Sequence, residues 1–124
     1  MRNWVAGVLD ACCVLVFVAI GRASHEEAAS VAGFAGTAWP FLAGAGAGWV
    51  AGRVWRRPEA VVPSGVAVWA AAVGGGMLLR VLTGQGTAAA FVIVALVFLG
   101  ATLLGWRGAA ALARSRRPAE DRTT

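Results

Sequence analysis

Residues 81–106, "VLTGQGTAAAFVIVALVFLGATLLGW", contain no charged side chain, and how this run is read decides the fold. A helix needs about 20 predominantly apolar residues to cross about 30 Å of hydrocarbon. Two further uncharged runs, 28–52 and 60–79, reach that length as well. A chain of 124 residues has no soluble interior that could hide three such stretches. Composition points the same way. Hydrophobic residues make up 59% and charged residues 14%, whereas soluble domains are roughly half apolar and a quarter charged. The chain reads as one integral membrane domain.

The N-terminal run is interrupted once, by Asp10, between Arg2 and Arg22. A cleavable signal peptide competes for this segment, because Gly21-Arg22-Ala23 resembles a small-x-small cleavage site. Arg2 is the only basic residue ahead of the run, and Asp10 falls just before its most apolar part. Both favour a retained first helix.

Punctuation then predicts an all-α, four-helix transmembrane bundle made of two antiparallel helical hairpins. The expected helices are about 3–20, 25–55, 64–82 and 87–113, and 114–124 is expected to be a disordered basic tail. Gly21 is placed to end helix 1 as a C-cap glycine. Ser24 and Glu27 fit a capping box, with Glu26 and Glu27 in the first turn of helix 2, where the helix dipole favours acids. Pro40 should disturb helix 2 near Gly36. "RRPEAVVP" (56–63) reads as a loop and "TGQG" (83–86) as a tight turn.

All eleven basic residues are arginine, and the net charge is +5. Most of them flank the apolar runs, which argues for membrane topology rather than nucleic-acid binding. With both termini cytoplasmic, the inner side holds Arg2, Arg53, Arg56, Arg57, Arg107, Arg114, Arg116, Arg117 and Arg122. The outer side holds only Arg22 and Arg80. That asymmetry fits the positive-inside rule, and Trp4, Trp49, Trp55 and Trp106 fall where an inner aromatic belt is expected.

Asp10 lies about 10 Å from the inner end of helix 1, at about 1.5 Å per residue. A carboxylate at that depth faces the bundle interior and needs a partner. Arg53 and Arg107 end helices 2 and 4 on the same side, whereas Arg80 is at the opposite face. Two readings stay open: a structural Asp–Arg tie, or a protonatable step in a transport path.

Near the outer face, Arg22, His25, Glu26, Glu27 and Arg80 share one depth. Such a cluster suits recognition of a carboxylate or phosphate group, or forms a solvated salt-bridge collar. A metal site is not expected. His25 is the only histidine, and no second ligand stands three or four residues on. Cys12 and Cys13 are adjacent and show no redox spacing. With neither a Gly-x-Ser-x-Gly elbow nor a P-loop, no catalytic residue and no cofactor are expected, and the chain is not read as an enzyme.

Gly44, Gly48 and Gly52 line one face of helix 2, where a neighbouring backbone can approach closely. Ala101, Gly105 and Ala109 repeat the pattern on helix 4. Packing within the bundle and a homo-oligomer seam both follow from such stripes. "GWVAGR" (48–53) and "GWRGAA" (105–110) also echo one another faintly.

Taken together, "GRASHEEA" (21–28), "TAWPFLAGAGAGW" (37–49), "VGGGMLLRVLTGQGTAAAFVIVA" (73–95) and "GWR" (105–107) resemble the domain-of-unknown-function family 3054. The resemblance implies a small four-helix membrane protein, found especially in actinobacteria, and brings no activity with it. It draws attention to Arg22, His25, Trp39, Pro40, Phe41, Arg80, Trp106 and Arg107. Two functions are expected to compete in the cell membrane. One is a small transporter with polar steps at Asp10 and Arg80. The other is a non-catalytic accessory subunit, with other membrane subunits or further copies of itself as partners beside the lipid bilayer.

Overall fold

The computed structural model describes residues 2–24, 31–85 and 89–116. They form four α-helices and no strand: α1 (Asn3–Ser24), α2 (Val31–Ala51), α3 (Val66–Leu82) and α4 (Ala89–Ser115). Between α2 and α3 lie a 310 turn, Val54–Arg56, and a π-type turn, Val61–Gly65.

The ends of α1 and α2 differ most from expectation, and α4 runs on to Ser115, two residues into the expected tail. α1 continues through Gly21 to Ser24, because Gly21 does not take the left-handed conformation that a C-cap glycine needs. Ser24, expected to cap helix 2, is the last residue of α1. His25, Glu26, Glu27 and the expected first turn of helix 2 lie outside the described residues. α2 ends at Ala51 rather than near Trp55, because Arg53 adopts a left-handed conformation (φ 49°, ψ 46°). The turn after it drives Val54 into the core, where it is fully buried.

α2 runs unbroken through the buried Pro40. Proline has no N–H to bond the carbonyl four residues back. That orphaned oxygen, on Gly36, instead accepts the side-chain amide of Gln85 at 3.3 Å.

α2 and α3 form the closest helix pair. A Cβ on Gly44 would lie 2.5 Å from the Ala71 carbonyl oxygen, and one on Gly48 would lie 2.9 Å from that of Ala67. A Cβ on Gly52 would meet the Ala67 Cβ at 2.8 Å. The glycine stripe is therefore consumed inside the bundle, against the small residues of α3. Phe17 organises the remaining core, edge-on to Phe41 at 5.4 Å and tilted against Phe91 and Phe98 at 5.8 Å.

Large apolar side chains also cover much of the exterior: Val97 is 67% exposed and Ile93 60%. Among the described residues, three segments are long and apolar enough to cross a membrane: Asn3–Arg22, Val61–Leu82 and Ala89–Ser115. α2 has the length, but its five glycines, Pro40, Trp39 and Trp49 dilute its hydropathy, and it is not among them.

Candidate functional site

Asp10 and Arg107 meet in the core, 2% and 0% exposed. Both guanidinium Nη atoms donate to the carboxylate, Nη1 to Oδ1 at 2.7 Å and Nη2 to Oδ2 at 2.8 Å. This fork-on-fork pairing is the strongest geometry open to an Arg–carboxylate contact. Two indoles complete it. Trp49 Nε1 donates to Oδ2 and Trp106 Nε1 to Oδ1, each at 2.9 Å. Asp10 thus accepts four hydrogen bonds, drawn from α2 and α4.

Arg107 is itself held by groups other than Asp10. Its Nε donates to the Pro58 carbonyl at 2.9 Å, and Nη1 also donates to the Leu103 carbonyl at 3.0 Å. The guanidinium lies 4.3 Å from the centre of the Trp106 ring. Gly65 supplies the room: a Cβ there would stand 2.9 Å from Arg107 Cδ. The loop between α2 and α3 therefore closes over the ion pair and carries one of its acceptors. Ser64, also buried, ties that loop to itself by donating to the Arg57 carbonyl at 2.6 Å.

Of the two arginines expected to reach Asp10, Arg107 does so, and Arg53 points to the exposed surface. The indoles are the residues that sequence reasoning misplaced. Trp49 and Trp106, assigned to an aromatic belt, turn inward as donors, while Trp4 and Trp55 are exposed. A signal was present: the echo of "GWVAGR" and "GWRGAA" delivers one tryptophan from each motif to one carboxylate.

At the other end, Arg22 bonds to α2 directly, and Arg80 is linked to α2 through Gln85. Arg22 Nη1 donates to Thr37 Oγ1 at 3.0 Å, and that hydroxyl donates onward to the Gly33 carbonyl at 3.1 Å. Arg80 Nη1 donates to Gln85 Oε1 at 3.1 Å, and its guanidinium sits 4.6 Å from the Phe91 ring centre. The same Gln85 side chain then donates to Gly36. His25, Glu26 and Glu27 lie outside the described residues. Among the described residues, no three His, Cys, Asp or Glu side chains gather into a metal-binding group.

No curated protein and no solved structure matches the chain. A family model described as "Protein of unknown function (DUF3054)" matches residues 7–110. That match takes in most of every helix and all four side chains of the Asp10 node. The chain belongs to the DUF3054 family.

Proposed function

We propose that this chain is a multi-pass protein of the cell membrane that works by associating with other membrane helices, with both termini cytoplasmic and its helices paired as two antiparallel hairpins. The observation that carries this reading is the saturation of Asp10 by four donors of its own chain. A relay or substrate-binding step has to exchange partners. A buried carboxylate loses much by doing so, because charge-assisted hydrogen bonds are strong and a desolvated charge is costly to strand. The node ties α1 to α2, α4 and the loop.

The outside of the bundle is then the working surface. Ala101, Gly105 and Ala109 lie on the exposed side of α4, and a Cβ on Gly105 would meet nothing within 4 Å. Small residues on an exposed ridge allow another helix to approach closely in lipid. Gly105→Leu is therefore the informative variant, since Gly48→Leu would strike α3 within the same chain. Expected in mild detergent is a wild-type complex, either a second copy or a membrane subunit of fixed stoichiometry. Gly105→Leu should release it with the melting temperature unchanged. A wild-type monomer, or a complex indifferent to this change, would end the proposal.

A transporter reading draws support from Arg22 and Arg80, the first bonded to Thr37 of α2 and the second linked through Gln85 to the adjacent Gly36. It predicts that Asp10→Asn abolishes flux in proteoliposomes while the protein remains folded.

A further inference from the structure

The turn that ends α2 displays three arginines, Arg53, Arg56 and Arg57, all on the exposed surface. None makes a side-chain hydrogen bond or ion pair among the described residues. The two described carboxylates at this end are committed elsewhere, Asp10 to Arg107 at 2.7 Å and Glu59 to Arg114 at 3.2 Å. Whatever neutralises the turn comes from outside the described residues.

Nor is the turn a loose loop. The fully buried Val54 anchors one side and the buried Pro58 the other, with the Pro58 carbonyl gripped by Arg107. Backbone bonds from Arg56 to Arg53 at 3.0 Å and from Arg57 to Val54 at 3.1 Å close it. Arg53 holds its left-handed conformation within this frame. Trp55 stands among the three arginines, 47% exposed, at the end of an apolar helix bundle. An indole at such a level prefers the headgroup region, and guanidiniums bind phosphate oxygens in bidentate fashion.

We propose that the 53–57 turn is a binding site for the phosphate groups of anionic phospholipids, a fixed basic platform set against Trp55. Lipid, rather than a soluble anion, is the chosen ligand because the platform borders an exposed apolar surface that acyl chains would cover. The proposal depends on the chain being lipid-embedded and is independent of whether it associates with other helices.

Full-length protein is to be incubated in mild detergent with equimolar phosphatidylglycerol and phosphatidylcholine, and retained lipid counted by native mass spectrometry. Phosphatidylglycerol should be retained in preference, and the preference should fall as salt rises. Near an anionic surface, each arginine contributes roughly a fivefold preference, so Arg53→Gln, Arg56→Gln and Arg57→Gln together should reduce it on the order of a hundredfold. Arg56→Gln alone gives a fivefold arm should the triple variant fold poorly. Arg22→Gln with Arg80→Gln, at the opposite end, should leave the preference unchanged. Equal retention of the two lipids by wild type overturns the proposal. So does an unaltered preference in the 53–57 variants, or an equal loss in the opposite-end pair. Displacement of the lipid by millimolar inorganic phosphate alone would show a generic anion site and overturn it too.

Discussion

The two ends of the bundle handle arginine differently. At one end, Arg107 is fully buried, and its charge is met by a carboxylate, two carbonyls and an indole face. At the other, Arg22 and Arg80 are half-buried, and their contacts include a threonine hydroxyl, a glutamine oxygen and the Phe91 ring. The difference follows from depth. A charge enclosed by apolar side chains cannot borrow water, so an opposite charge and further hydrogen bonds must offset its desolvation. An arginine near a helix end runs its apolar stem along the bundle and keeps its head close to water, which offsets part of its desolvation. One end holds a closed ionic clamp, and the other leaves its arginines half-buried.

The contrast breaks most directly at Asp10. Asp10→Ala strands a buried guanidinium and should cost about 3–5 kcal/mol in a reversible unfolding titration in detergent. Replacing both partners, Asp10→Leu with Arg107→Met, should recover most of that loss. A loss under about 1 kcal/mol for the single change would make the two ends equivalent.

Gly44→Leu tests the seam that links both ends. With the Ala71 carbonyl 2.5 Å from the new Cβ, backbones must separate, and a loss of about 1–3 kcal/mol or more is expected in the same titration.

Trp106→Phe removes one of four donors to Asp10 while keeping an aromatic ring. It should cost about 1.5–3 kcal/mol, the range for a hydrogen bond to a charged group, and leave the bidentate pair intact.

The smallest effect belongs to the half-buried end. Gln85→Ala should cost about 0.6 kcal/mol, typical of side-chain hydrogen bonds in membranes. In a Pro40→Ala background, where the helix regains its own donor to Gly36, the same substitution should cost less. Equal losses in both backgrounds would show that Gln85 acts through Arg80 rather than through the orphaned carbonyl.

Much of the fold was legible because it depends on local quantities. Uncharged run lengths locate the helices to within several residues, and Pro40 announced a missing donor. Boundaries were harder where chemistry and context disagreed. Gly21 resembles a helix stop, yet α1 continues past it and Arg22 reaches Thr37. The end of α2 is set by the left-handed backbone of Arg53, a residue whose type gives no hint of it. At the site, the need of Asp10 for an arginine was readable from depth alone. The choice of Arg107 over Arg53, and the recruitment of Trp49 and Trp106, was not.

Sequence by itself determined that lipid is the solvent to expect, roughly where the helices run, and that one carboxylate among them requires a counter-charge. Length and charge counts decide those matters whatever the packing. Only the tertiary structure decided which side of each helix faces inward. It turned two tryptophans onto Asp10, spent the glycines of α2 on α3, and left Gly105 facing outward. A helix that is apolar all round carries little directional pattern to fix its rotation, so its partners emerge when small residues and one buried charge lock the bundle together.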